Sequence, residues 1–198
     1  MTGTTQNKIN SHIKSIQDTI VAAEHNHDIW WIYKSRDTRP KFIDVMNTYM
    51  AFFQTSIHAH FVVMIVALYR LYETRRDTIS IPQLLKLLDI DHSLSDDARN
   101  RVRELMKEAK PIWIKIGIIR SEVFAHLSNE RDFEESFKKA DLKYRHCKDL
   151  IELSKTIINV ITHDYDRNTY EFNLSAEFDT KALLNDLLSF CNQNNEKK

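Results

Sequence analysis

A chain of 198 residues can fill one domain with a sizeable core, and 28 Lys+Arg set against 28 Asp+Glu leave it without net charge. The balance holds in each half, so no global field draws in nucleic acid or an anionic membrane; a coat for nucleic acid is excluded, a local RNA-binding patch is not. Gly occurs only at Gly3 and Gly117 and Pro only at Pro40, Pro82 and Pro111, too few turn-formers for a sheet with tight connections, which predicts long helices.

The polar N-terminus, Met1 to Ile9, has none of the apolar stretch of a secretory signal. From there Ile9, Ile13, Ile16, Ile20, Ala23, His27 and Trp30 recur at steps of four and three, the rhythm of a helix nearly parallel to its neighbours. A second helix is predicted from Pro40 to about Tyr72, through Phe42, Val45, Tyr49, Phe53, Ile57, Phe61, Met64, Leu68 and Leu71. Its apolar residues cover more than one stripe, which makes it the expected central, most buried helix. Its most apolar run, Phe61 to Tyr69, falls short of the roughly 20 residues that span a bilayer, so no membrane partner is expected.

Glu73 to Ile79 reads as a polar loop. Ser80-Ile-Pro-Gln83 has the form of a capping box opening a short helix through Leu84, Leu85, Leu87 and Leu88. Ser95 can cap the next helix, whose first turn carries Asp96 and Asp97 at the positive end of its dipole. That helix runs toward Leu127, and Pro111 must either kink or split it. Asp132, with Glu135 three residues on, predicts the start of another helix, with the most regular stripe of all: Phe133, Phe137, Ala140, Tyr144, Cys147, Ile151, Ser154, Ile158 and Ile161. Asp164 to Asn168 reads as a turn. Tyr170, Phe172 and Leu174 alternate with polar residues and allow a short extended segment at 169–174. A last helix from about Ser175 carries Leu184, Leu187, Leu188 and Cys191. There is no internal repeat and no Gly- or Pro-rich linker. The expectation is a single all-α domain over 1–191, an up-and-down helical bundle, followed by a disordered tail at 192–198.

Cys147 and Cys191 have no motif spacing, so reduced thiols in a cytoplasmic protein are expected, with Cys147 as core on its stripe. His25 and His27, like His58 and His60, look like metal pairs, but residues two apart on a helix point about 200° apart and chelate poorly. Trp30, Trp31 and Trp113 read as packing residues.

One segment stands out. After Pro111, Ile112, Ile116, Ile119 and Val123 keep the four–three rhythm, and the next seam position is His126, with Arg120 beside the seam. A buried stripe thus ends in an imidazole, with a guanidinium one and a half turns earlier. Six residues give roughly 120° of rotation the short way and about 9 Å of rise, so the two are not face-to-face neighbours. They could bracket a phosphodiester, or meet their counterparts from a second copy across a two-fold axis. Glu122, four residues before His126, shares its face and could orient the ring. In the bland reading, Arg120 pairs with an acidic neighbour and His126 caps the helix end.

Arg120-Ser-Glu-Val-Phe-Ala-His126 resembles the Arg-x(4–6)-His signature of the HEPN superfamily, all-helical proteins of prokaryotic toxin–antitoxin, abortive-infection and CRISPR systems. The Ser80-Ile-Pro-Gln-Leu-Leu segment after a polar loop, and the aliphatic helix leading into Arg-x-x-x-(aromatic)-Ala-His, are similar to its abortive-infection branch, over roughly Asp37 to Ile161. The resemblance implies a metal-independent endoribonuclease with no cofactor, whose two protomers line one cleft with their motifs. It implies His126 as general base on the ribose 2′-hydroxyl or acid toward the leaving oxygen. It implies Arg120 as stabiliser of charge on the phosphoryl oxygens, and a 2′,3′-cyclic phosphate as product. The partners it implies are a second copy, an RNA substrate and an antitoxin protein. Ser121 stands where the family often has Asn, Asp or His; a hydroxyl still hydrogen-bonds phosphate. The variant with a Tyr two residues after the His, the target of a partner nucleotidyltransferase, is not matched, since Leu127-Ser128 follow.

Arg70, Arg75 and Arg76, and then Arg99, Arg101 and Arg103, form two basic clusters. Such clusters are usually solvated faces; beside an RNA cleft, Arg75, Arg76, Arg99 and Arg103 are the candidates for backbone contacts. Two further readings keep the fold and drop the chemistry: a non-catalytic RNA- or protein-binding module, and a structural dimerising bundle.

Overall fold

The computed structural model describes residues 3–125 and 138–195, and among these no strand occurs. Seven long helices account for most of them: α1 (Gly3–Lys34), α2 (Arg39–Thr48), α3 (Met50–Leu71), α4 (Ile81–Asp91), α5 (Asp96–Ala125), α6 (Tyr144–Asp166) and α7 (Glu177–Asn195). The all-α helical bundle expected from composition is what forms. Its contacts group into two compact units, Met1–Ala23 with Ile65–Phe172, and Glu24–Met64 with Asn173–Lys198.

In the first unit the amphipathic stripes read from the sequence are buried as their spacing demands. Ile9, Ile13, Ile16, Ile20 and Ala23 of α1 are buried, as are Cys147, Ile151, Ser154, Ile158 and Ile161 of α6. α5 packs against α6. Ser95 caps α5 by accepting from the Ala98 N–H at 3.2 Å, and Asp164 at the far end of α6 takes the Ser95 N–H at 2.7 Å and its hydroxyl at 2.9 Å. Ser80 likewise accepts from Gln83 N–H, but the Gln83 side chain does not close the box. It reaches back to the Thr74 carbonyl at 2.7 Å, while the Ser80 hydroxyl donates to Glu73 at 2.6 Å, so both bonds fasten the polar loop instead.

The second unit buries Ile32 and Tyr33 of α1, Phe42, Val45 and Met46 of α2, Phe53 of α3 and Leu184 of α7 in one cluster. Its His27 and Trp30 continue the α1 stripe as buried residues. α1 ends in a hydroxyl knot: Thr38 Oγ1 donates to the Ile32 carbonyl at 2.6 Å, and the Oγ of buried Ser35 lies 2.6 Å from Thr38 Oγ1. The turn sets Pro40 in the first turn of α2, where its missing N–H costs nothing.

Four expectations are corrected. The single helix from Pro40 to Tyr72 is two, because Tyr49 leaves helical geometry at φ −113°, ψ 43°. α3 is not the most buried helix: only 33% of its most apolar window is buried, and Met50, Phe52, Val63 and Val66 are exposed. The whole helix, 22 residues, is also long and apolar enough by composition to cross a membrane, so the length argument drawn from Phe61–Tyr69 alone does not hold. The stripe ending at Ile161 is not one helix: Asp141 turns left-handed at φ 46°, held by Lys115, which donates to its carbonyl at 2.9 Å and its carboxylate at 2.6 Å, and α6 starts afresh at Tyr144. The predicted start at Asp132 and Glu135, with Phe133 and Phe137, lies outside the described residues.

Pro111 does not split α5, which runs through it. Pro111 and Lys107 are both exposed, so the carbonyl deprived of its partner faces water. Residues 169–174 form no ladder; the Asn159 side chain pairs with Tyr170 instead, accepting its N–H at 2.9 Å and donating to its carbonyl at 3.0 Å. α7 continues to Asn195, so residues 192–195 belong to a helix and not to the disordered tail expected from 192 onward.

Candidate functional site

α5 carries the predicted motif. Trp113, Gly117 and Arg120 follow one another at steps of four and three, which sets Trp113 and Arg120 within roughly 20° of each other and about 10 Å apart along the helix. The last turn of α3 meets that face with Tyr69. Trp113 Nε1 donates to the Tyr69 carbonyl at 3.1 Å, and the two rings stack with centroids 5.8 Å apart. Gly117 lies against the ring: a Cβ there would stand 3.4 Å from Tyr69 Cε2 and 3.7 Å from Cδ2, ordinary contact distances. The Arg120 guanidinium carbon lies 4.6 Å from the Tyr69 ring centroid. An exposed cation over an aromatic face is worth about 0.5–1 kcal/mol, a useful fraction of the ~2 kcal/mol of rotamer entropy that an arginine side chain carries.

Arg120 is exposed, and among the described residues no carboxylate lies within ion-pair distance of it. The acidic partner of the bland reading is therefore missing from the described part of the chain. Ser121 is exposed beside it. Glu122 continues the helix, but its side chain and all of His126 lie outside the described residues, as does Leu127-Ser128.

The basic clusters divide. Arg75 grips Asp77 with two hydrogen bonds, 3.1 and 2.6 Å. That contact raises the guanidinium pKa and lowers that of the Asp77 carboxyl, and the nearby Glu73 carboxylate also raises the former. Arg99 is half-buried between Asp89 at 3.2 Å and Asp96 at 3.8 Å. Arg76 and Arg103 are exposed and make no ion pair among the described residues.

Of the histidines, His25 and His60 have hydrogen-bond partners, whereas the Nδ1 of His27, expected to be hydrogen-bonded in the core, has none among the described residues. His25 Nε2 meets the Leu174 carbonyl at 2.9 Å, His60 Nδ1 meets Asn26 Oδ1 at 2.8 Å, and buried His27 lies beside Asp28 at 3.6 Å. Among the described residues no three His, Cys, Asp or Glu side chains gather as a metal site. Burial pushes the Cys147 thiol up to about 12, which leaves it no thiolate to act as a nucleophile.

The HEPN_AbiU2 family model, described as AbiU2, matches residues 7–186. The chain belongs to this HEPN family. The match spans α1 to α7 and so includes Arg120, Ser121, Glu122 and His126. The abortive-infection character read from the residues around this HEPN motif agrees with it. No curated protein and no solved structure matches.

Tyr69 and Gly117 are the neighbours of Arg120 that sequence reasoning passed over. One signal was available: a glycine inside a strongly periodic helix costs about 1 kcal/mol against alanine and calls for a packing reason. Which ring fills the gap is a long-range fact that no local pattern carries.

Proposed function

We propose that this HEPN chain is a metal-independent endoribonuclease of a prokaryotic defence or toxin–antitoxin system, acting in the cytoplasm as a homodimer restrained by an antitoxin protein. The observation that supports this best is the state of Arg120: exposed, steadied over an aromatic ring, and unmatched by any carboxylate among the described residues. A guanidinium so held is suited to a phosphate from outside. In the proposed reaction the ribose 2′-oxygen forms a bond to phosphorus as the bond to the 5′-oxygen breaks. His126 takes the 2′-hydroxyl proton or, from the second copy, supplies one to the departing 5′-oxygen. Arg120 and the Ser121 hydroxyl bind the phosphoryl oxygens, Glu122 orients the imidazole, and no cofactor takes part. Arg76 and Arg103 are better placed for RNA backbone contacts than Arg75 and Arg99, whose charges already have carboxylate partners.

The test is incubation with RNA in excess EDTA, with fragment ends analysed. Cleavage to 2′,3′-cyclic phosphate ends, falling by about 10² or more in His126→Ala and Arg120→Ala, is expected. Cleavage that survives both substitutions overturns the assignment. A second reading, a dimerising bundle without chemistry, is favoured by the exposed apolar residues of α3; a dimeric mass with no cleavage of any RNA would support it.

A further inference from the structure

Arg120 has a feature that the chemistry of a phosphate-binding arginine does not by itself require: the ring beneath it is packed against the same face of α5. Tyr69 is anchored through its backbone, since its carbonyl accepts from the Trp113 indole at 3.1 Å. One ring contact is Trp113, stacked with an interplanar angle of 29°. Another is Gly117, where only a hydrogen stands between the helix and the ring. The guanidinium of Arg120 then lies over the ring at 4.6 Å. Trp113, Gly117 and Arg120 all belong to one face of α5, so a single aromatic side chain from α3 reads two turns of that helix and ends under the charge.

To the packing of the ring the cation adds only about 0.5–1 kcal/mol. A guanidinium that served solubility alone would gain nothing from a ring built into the fold. Their conjunction limits where Arg120 can point: an arginine has several rotatable bonds, and a flat apolar surface beneath its terminal group selects the conformers that lie across it. Among the described residues no hydrogen bond takes up the Arg120 donors, and a guanidinium that lies across a ring keeps its N–H edges available. That is the geometry a fork of donors needs to meet two oxygens of one phosphate.

We propose that Tyr69 is a positioning residue for Arg120: its ring pre-sets the guanidinium so that the donors face an incoming RNA phosphate. The inference rests on the reading of Arg120 as the phosphoryl-binding group. It requires the aromatic face and not the phenol hydroxyl, so phenylalanine should replace tyrosine and an aliphatic residue should not. Because the contribution is orientation at the reacting phosphate, its loss should fall on kcat more than on KM.

The experiment compares the full chain with Tyr69→Leu and Tyr69→Phe, and adds Tyr69→Met as the aliphatic variant should Tyr69→Leu fail to fold. Single-site RNA cleavage in EDTA is measured together with the NMR signal of the Arg120 Nε–H group, which a ring directly beneath shifts upfield. Expected are a fall of about tenfold in kcat with KM held within about twofold for the aliphatic variant, loss of the upfield shift, and recovery of both in Tyr69→Phe. Wild-type kcat in the aliphatic variant, or an Arg120 signal that does not move, overturns the proposal. If the wild type cleaves no RNA, the ribonuclease reading is what fails; if Arg120→Ala cleaves as well as wild type, the assignment of Arg120 as the phosphoryl-binding group is what fails. The NMR comparison still decides whether Tyr69 sets the guanidinium.

Discussion

Replacing Gly117 by alanine tests the packing of the site without touching its charges. Glycine in the interior of a helix is less favourable than alanine by about 0.8–1.0 kcal/mol. Gly117 has no left-handed backbone to protect, since the described residues include no glycine at positive φ. The new Cβ would meet Tyr69 Cε2 at 3.4 Å and Cδ2 at 3.7 Å, ordinary contact distances, so steric cost should be close to nil. Gly117→Ala is therefore expected to stabilise the chain by about 1 kcal/mol, raising Tm by roughly 2–4 °C for a chain of this size. Thermal unfolding followed by circular dichroism at 222 nm reads this directly. Gly117→Leu should do the reverse, because its further carbons need the volume the ring occupies, at a cost of about 1–3 kcal/mol. Destabilisation by Gly117→Ala of more than ~1 kcal/mol would refute the reasoning, since it would mean that ring and helix are closer than a methyl group allows.

Two other outcomes follow from buried and capping hydrogen bonds. Ser154 donates to the Leu150 carbonyl at 2.7 Å, so it must accept the Tyr72 phenol proton across their 2.8 Å contact, and both residues are buried. Tyr72→Phe should then cost about 1 kcal/mol and Ser154→Ala, which strands the phenol, about 2 kcal/mol, with the double variant below the sum; urea unfolding that reversed this order would contradict the donor assignment. The Asp164 pKa is lowered, first by the hydrogen bond from the Ser95 N–H. A carboxyl held below its unfolded value contributes stability above the ordinary carboxylate range and loses it as pH falls through the folded value. Asp164→Ala should accordingly cost about 0.5–1 kcal/mol at pH 7 and almost nothing well below pH ~4, checked by Tm against pH.

The sequence was most legible where burial and periodicity agree. Ile9, Ile13, Ile16, Ile20, Ala23, His27 and Trp30 are all buried, because a helix with one wet face has to place its apolar residues at those steps. Ser80 and Ser95 announced their helices because a cap is a local transaction between neighbouring residues. The breaks at Tyr49 and Asp141 were invisible for a matching reason. The apolar rhythm crosses both without a change of step, and the Lys115 contacts that hold Asp141 come from another helix. Pro111 left a kink and a split both open, because whether a lost hydrogen bond ends a helix depends on surroundings that the local sequence does not carry; here Pro111 and Lys107 are both exposed and the helix continues. At the candidate site, Arg120 drew notice because it lies beside a stripe that ends in His126, whereas Tyr69 gave no signal, since its stripe continues through Leu68 and Leu71 with no sign of the helix it meets.

The exposed side of α3 bears on how copies of this chain behave in solution. Between Asp44 and Arg70 no side chain is Asp, Glu, Lys or Arg, and Phe52, Ala59, Val63 and Val66 lie exposed along this stretch. With a whole-chain pI near 7.1, little electrostatic repulsion holds copies apart at neutral pH. Any self-association through this face has no charges to screen, so sodium chloride should leave it intact, excluded salts such as sulfate should tighten it, and urea should loosen it. Contacts made by Arg76 or Arg103 would respond to salt in the opposite sense. A salt titration thus separates what α3 holds from what the arginines hold.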